Sequence, residues 1–219
     1  MSNLDELAVL PATTAPWRLI HQDECFIVVD KPAGLLTVPG RHPANRDCLI
    51  HRVQCEFVQA QVVHRLDYDT SGLLVLPLTK AALSAISVQF QQRKTKKFYQ
   101  ALVAGVCAER GTIDAPLAAD ELNRPLYKVA ADGKPSITHF QRLSHTDHQS
   151  RVQLEPVTGR SHQLRVHMAS IGHPLLGDPF YAPEPVKAQA TRLCLHAAEL
   201  GFFHPKTGEW LNFQSVVPF

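Results

Sequence analysis

Two apolar stretches around a polar, turn-forming centre constrain this chain most: Val62-Val63-His64-Arg65-Leu66-Asp67-Tyr68-Asp69-Thr70-Ser71-Gly72-Leu73-Leu74-Val75-Leu76. Aliphatic residues on both sides of the Asp-rich centre predict strand, turn, strand. Alternation along a strand sets Val63, Arg65 and Asp67 on one face and Val62, His64 and Leu66 on the other. The pattern therefore puts a carboxylate at a strand end, two positions from a guanidinium. Strand ends on a rigid sheet hold catalytic groups well. An Asp-rich segment ending in Ser-Gly is more often a purely structural turn, its side chains bonding their own backbone. Local chemistry alone leaves both roles open.

The flanking sequence predicts further strands and helices. Trp17 to Ile20 and Phe26 to Asp30 read as short paired strands across a polar turn. Lys31-Pro32-Ala33-Gly34 ends the second, because Pro stiffens the chain and Gly can take a positive φ. Leu49, Ile50, Val53 and Phe57 make a helical stripe over 45–57, opening near Asn45 or Asp47. Gly72 to Leu78 reads as a buried strand. Thr79 then caps a helix over 80–92 with Leu83, Ile86 and Phe90 inward. Phe98 to Gly105 is another strand, with Tyr99 facing away from Phe98 and Gln100. Residues 112–128 read as a loop-rich excursion, and 134–144 with 151–157 as a long hairpin that turns Val152 and Leu154 inward. Ser161 is the expected N-cap of a helix that buries Leu164, Met168 and Ile171 and stops at Gly172. Arg165 lies one position round from that stripe, its stem against the core and its head in a cleft. A Pro-rich loop over 173–185, a kinked strand over 193–204 and a last strand over 210–215 close the chain.

The 219 residues suffice for a good-sized core, and 45% hydrophobic against 19% charged is a globular balance. The longest apolar runs are too short to cross a bilayer. The opening Met1-Ser2-Asn3-Leu4-Asp5-Glu6 lacks a basic-then-apolar leader pattern, so a cytoplasmic protein is expected. Five Cys without close pairs argue against a disulfide framework or a zinc ribbon and read mostly as small core residues. His162 and His167 are five apart, not the four that bring two zinc ligands onto one helix face, and no metal is expected. The formal charge of +2 is only mildly basic. Its clustering says more. Arg93, Lys94, Lys96 and Lys97 form one run, and Arg151, Arg160 and Arg165 with the two histidines form a second concentration. A single such run is usually a solvated face; two beside candidate site residues suit phosphate contacts.

Five motifs in order bring a resemblance into view. They are Lys31-Pro32-Ala33-Gly34-Leu35-Leu36; His64-Arg65-Leu66-Asp67 with Thr70-Ser71-Gly72-Leu73; Lys96-Lys97-Phe98-Tyr99-Gln100-Ala101; Gly159-Arg160-Ser161-His162-Gln163-Leu164-Arg165-Val166-His167; and Gly172-His173-Pro174-Leu175-Leu176-Gly177-Asp178. Spanning roughly residues 17 to 215, they resemble the signatures of the RluA-type pseudouridine synthases. The resemblance implies an α+β catalytic domain over 16–219: a mainly antiparallel mixed sheet flanked by helices and loops, with the active-site cleft across it. Residues 1–15 read as a loose arm. They are too few to hold the S4-type RNA-binding domain that larger members carry.

The implied reaction isomerises uridine to pseudouridine within RNA: the base leaves C1′ through N1, turns, and rejoins through C5. No group is added and no redox change occurs, so no cofactor is expected. Asp67 becomes the central carboxylate. It can attack C1′ and hold the sugar covalently, or remove a C2′ proton to give a glycal; the residues do not separate the two. Arg165 supplies the charge that keeps Asp67 ionised. Tyr99 stacks on the base and assists loss of the C5 proton, and Leu164 lines an apolar floor. Arg65 fills the space the extruded base leaves or holds its phosphate. His64 is read as a packing residue. Lys31, Lys97 and Arg160 are candidate substrate contacts. The length and the Asn123-Arg124-Pro125 insert resemble the small members of the family, which implies uridine 32 of tRNA anticodon stem-loops and uridine 746 of 23S rRNA as targets, and a monomer as the acting species. Two rivals stay open on the residues alone: a hydrolase with an Asp nucleophile, and an RNA-binding module without catalysis.

Overall fold

A computed structural model describes residues 9–219; the first half of the expected arm, residues 1–8, lies outside the described residues. In chain order the elements are β1 (Arg18–Gln22), β2 (Phe26–Lys31), α1 (Leu49–Gln54), β3 (Ser71–Pro77), α2 (Lys80–Gln91), β4 (Lys96–Ala104), β5 (Arg110–Asp114), β6 (Leu117–Ala119), β7 (Tyr127–Val129), β8 (Ile137–His145), β9 (Gln149–Pro156), α3 (Gln163–Ser170), α4 (Glu184–Lys187), β10 (Leu195–Phe203) and β11 (Trp210–Gln214). The class is α+β, as the sequence predicts. Contacts divide the described residues into two compact units, residues 9–96 with 199–215 and residues 97–198 with 216–219. The divisions fall inside β4 and β10, between residues 96 and 97 and between 198 and 199. Continuous strands carry no linker composition, which is why the sequence shows no boundary.

In the first unit β2 pairs antiparallel with β1 and with β3, and Glu199–Phe203 of β10 pair antiparallel with β11. All seven residues of β3 are buried. Thr79 accepts a hydrogen bond from the Ala82 amide (3.1 Å), so α2 begins where its cap predicts. Its buried residues are Ala82, Ile86 and Gln89; Leu83 and Phe90 are only half-buried. Phe26, Val28, Leu73, Val75, Ile86, Leu200 and Phe202 form the core. Helix α1 is shorter than its stripe implies. It opens at Cys48 with no side-chain cap, and Phe57 falls beyond its end. The described part of the arm is tied down rather than loose. Tyr68 donates to the Pro11 carbonyl (2.6 Å), Arg52 to those of Thr13 and Ala15, and the Leu10 amide to Asn45.

In the second unit β9 lies between β4 and β8, and β8 also pairs with β5, all antiparallel. Val152 and Leu154 of β9 are fully buried and join Ala101, Val103, Phe140, Leu164, Met168 and Leu195 in the core. The excursion expected over 112–128 is better ordered than its composition suggests: β5 completes inside it and β6 and β7 form a small hairpin. Helix α3 departs from expectation at both ends. Its N-cap is His162, in the left-handed conformation (φ 54°), not Ser161. Ile171 is 40% exposed rather than buried. Gly172 takes φ 85° just past the helix, as its terminating role requires.

Candidate active site

Asp67 does not sit on a strand. Residues 61–70 run as an irregular loop into β3, contrary to the alternation of Val62 to Asp67. Side chains from elsewhere in the unit satisfy backbone groups that a partner strand would otherwise take. The Thr37 hydroxyl donates to the Leu66 carbonyl (2.8 Å) and accepts from the Leu66 amide (3.1 Å). The imidazole of His64 accepts from the Val75 amide (3.2 Å), which places its proton on Nδ1, and stacks on Phe90 at 4.5 Å. His64 is thus a packing residue, as expected. The Thr70 amide donates to the Asp67 carbonyl (3.2 Å) and closes the turn. Asp67 itself is half-buried between these anchors and Arg65 is exposed. Their shared strand face does not exist, because there is no strand.

Lys31 is placed otherwise than a surface contact for RNA. It is 0% exposed, and its ammonium donates to the carbonyls of Leu35 (2.6 Å), Pro32 (2.8 Å) and Tyr68 (3.3 Å). The Tyr68 carbonyl also receives the Gly34 and Leu35 amides (2.9 and 3.3 Å), and Gly34 takes the positive φ of 70° that this approach uses. The Lys31-to-Leu36 motif therefore braces the Asp67 loop from below. Nothing in the spacing of a lone Lys signals its burial.

In the second unit Tyr99 is half-buried and packs on the core cluster that contains Leu164, which is 6% exposed. Lys97, on β4, is half-buried, and Arg160 is exposed just before α3. Arg165 is 1% exposed. Its Nε and Nη2 donate to the two carboxylate oxygens of Asp178 at 2.8 and 2.6 Å, a bidentate pair with Asp178 at 0% exposure. Asp178 also accepts from the amides of Phe180 (2.8 Å) and Tyr181 (3.2 Å). Both rings lie over the guanidinium, with centroids 5.0 and 5.2 Å from its central carbon. The Tyr181 hydroxyl accepts from the Tyr127 amide of β7 (2.9 Å), which leaves its proton for His162 Nδ1 (2.7 Å). The sequence placed Arg165 but missed the Asp178 clasp. The only signal was Asp178 closing the fifth motif.

His167 is fully buried, with Nε2 on the Ala115 carbonyl and Nδ1 on the Thr138 hydroxyl, both at 2.9 Å. Burial pushes its pKa below the usual histidine range, against the upward pull of the Ala115 carbonyl and the nearby Asp114. Neither of its nitrogens is left for a metal. Among the described residues Asp23, Cys25 and His204 have ligand atoms within 4.8 Å of one another. There His204 Nδ1 accepts the Lys206 and Thr207 amides, so Nε2 carries the proton and donates to Asp23 (3.3 Å). Those contacts are those of a hydrogen-bonded turn. Burial pushes the thiols of Cys48 and Cys194 up, in keeping with core roles, whereas Cys55 is exposed.

Residues 25–170 match the RNA pseudouridylate synthase family. The dual-specificity RNA pseudouridine synthase RluA of Pasteurella multocida is 44% identical over 97% of this chain and 99% of its own length. The protein of the same name from Yersinia pestis is 50% identical over 92% and 99%. Among solved structures, human RNA pseudouridylate synthase domain containing 1 superposes with a TM-score of 0.80 at 30% identity, covering 95% of this chain and 86% of that one. The chain belongs to the RNA pseudouridylate synthase family: it is an isomerase that converts uridine to pseudouridine in RNA. Among the described residues no helix is long and apolar enough to cross a membrane.

Proposed function

We propose that the enzyme acts on two RNAs, at uridine 32 of tRNA anticodon stem-loops and uridine 746 of 23S rRNA, and that Asp67, Tyr99 and Arg165 carry out the reaction on the extruded nucleotide. It works as a cytoplasmic monomer without metal or cofactor. The relatives named dual-specificity synthases, matched along nearly their whole length, support the pair of targets. One observation carries the catalytic assignment: Asp67 is a half-buried carboxylate on a loop whose neighbours on both sides are fixed by hydrogen bonds. A nucleophile must be rigidly aimed yet reachable, and a half-buried position on a braced loop supports that role.

Both candidate routes balance. If the Asp67 carboxylate attacks C1′, the C1′–N1 bond breaks, the electron pair leaves on the uracil, and the sugar is held as an ester. The base turns, C5 attacks C1′, and the ester bond breaks to return the carboxylate. If Asp67 instead takes the C2′ proton, a glycal forms and that proton returns after C5 rejoins. Either way the C5 proton is finally lost, N1 gains one, and the formula is unchanged. Tyr99 covers the base and assists the C5 proton's departure. The Arg165 cation favours the anionic uracil, and the bidentate Asp178 carboxylate fixes its orientation. Arg65, exposed beside Asp67, occupies the gap in the RNA stack, which offsets part of the few kcal/mol that extrusion costs. Arg160 and Lys97 contact phosphates, and Leu164 supports the apolar floor under Tyr99.

The targets are tested by mapping pseudouridine in cells with and without the gene. Loss at both uridines alone is the expected result. Loss elsewhere with both sites retained would reassign the substrate while leaving the chemistry intact.

A further inference from the structure

Phe180 has no part in the chemistry above, and its setting is unusual. The residue is 42% exposed, yet its loop is fixed: its amide donates to the buried Asp178 carboxylate at 2.8 Å. Its ring stacks on His162 (centroids 5.8 Å apart, planes 28° apart) and also meets the Arg165 guanidinium at 5.0 Å. His162 is held in turn by the Tyr181 hydroxyl and sits in the left-handed conformation, which L-residues adopt only when surroundings compensate. The Asp178 contacts thus stiffen an aromatic residue and leave much of it in water. Tyr181, from the same loop, is half-buried and uses its hydroxyl for internal bonds. Exposed Arg160 stands two residues before His162. A fixed, solvent-facing ring near a cation is the recurring arrangement on which single-stranded RNA bases stack, and the fixing lowers the entropy lost on binding.

We propose that Phe180 is a stacking platform for an unpaired base next to the extruded uridine, with Arg160 on the adjoining phosphate. The proposal rests on the anticodon stem-loop being a substrate. Arg165, assigned to the reacting nucleotide, touches the same ring, so the stacked base is a near neighbour of the target. Phe180 is then a specificity residue. It favours loops that can splay a second base, and it grips RNA without touching the reacting atoms.

The test is steady-state pseudouridine formation on a synthetic anticodon stem-loop by the wild type and the variants Phe180→Ala, Phe180→Leu and Phe180→Tyr. Each variant's melting temperature is recorded as a check on folding. The expected result is a KM raised on the order of tenfold by Ala and by Leu, with kcat changed far less, and near-normal KM for Tyr. Leu fills the space without a π-face and Tyr keeps the face, so the pair separates stacking from packing. Wild-type KM in the Leu variant, or losses confined to kcat, would overturn the proposal. If the wild type itself leaves the stem-loop unmodified while active on ribosomal RNA fragments, the substrate reading fails, and the proposal fails with it for a different, identifiable reason.

Discussion

The molecule holds two carboxylates in opposite ways. Asp67, in the first unit, is half-buried, and its neighbours Leu66 and Tyr68 are held through their backbone by Thr37 and Lys31. Asp178, in the second, is sealed, and its oxygens receive a guanidinium edge and two amides. A carboxylate saturated with donors is a poor nucleophile and a strong strut. The first unit braces the loop around Asp67 through backbone groups, and the second places its saturated contacts on the Asp178 carboxylate itself.

The largest effect of this contrast falls on stability. Asp178→Ala or Arg165→Ala leaves the partner charge buried in the second unit, and chemical denaturation is expected to show a loss of about 3–5 kcal/mol. A loss under 1 kcal/mol in both would mean that the pair is no strut. Lys31→Met comes next. It strips the donor from three carbonyls below the Asp67 loop, for roughly 2 kcal/mol of stability. Turnover should also fall, with RNA affinity little changed; unaltered turnover would detach Lys31 from the loop's geometry. Thr37→Val removes both bonds to Leu66 and should cost about 1–2 kcal/mol by the same measurement. Its signature is faster hydrogen exchange at the Leu66 amide, and unchanged protection there would contradict the clamp.

The smallest effects are those of pH, and they also differ between the units. His167 has its pKa lowered in the folded state, so below the ordinary histidine range, about 6.5, the unfolded chain binds a proton that the folded chain refuses. Stability of the second unit therefore declines as pH falls through that range and levels off below the folded value. In the first unit burial raises the Asp23 pKa, but the amides of Phe26 and Cys25, with His21 and His204, lower it by more. Its contribution is present above the ordinary Asp value, about 3.9, and is lost as pH falls through the lower folded one. Residue-resolved exchange between pH 7 and 5 should show the second unit loosening first. Equal loosening of both, or loosening of the first alone, would contradict these assignments.

Much of this was legible in the sequence wherever local chemistry decides structure. Thr79 capped its helix, the apolar run after Gly72 became a buried strand, and Val152 and Leu154 turned inward because alternation and caps act over a few residues. What failed depends on distant partners. Val62 to Asp67 alternates like a strand, but Thr37, twenty-nine positions before Leu66, takes its backbone groups instead. Ser161 looks the better cap by type, yet His162 takes the cap position because Tyr181 and Phe180 hold its ring. Lys31 reads as a surface cation until the three carbonyls around it are seen. At the candidate site the family motifs pointed to Asp67, Tyr99 and Arg165. They did not disclose that Asp178 clasps Arg165, or that Lys31 braces rather than binds.

The assignment of chemistry to Asp67 is tested most directly with RNA carrying tritium at uridine C5. Tritium release by Asp67→Ala is compared with wild type at saturating RNA, alongside the variant's RNA affinity and melting temperature. Release should vanish while affinity stays within about tenfold, because phosphate contacts dominate binding, and the melting temperature reports whether the variant remains folded. Measurable release from a clean preparation of the variant would place the reacting group elsewhere.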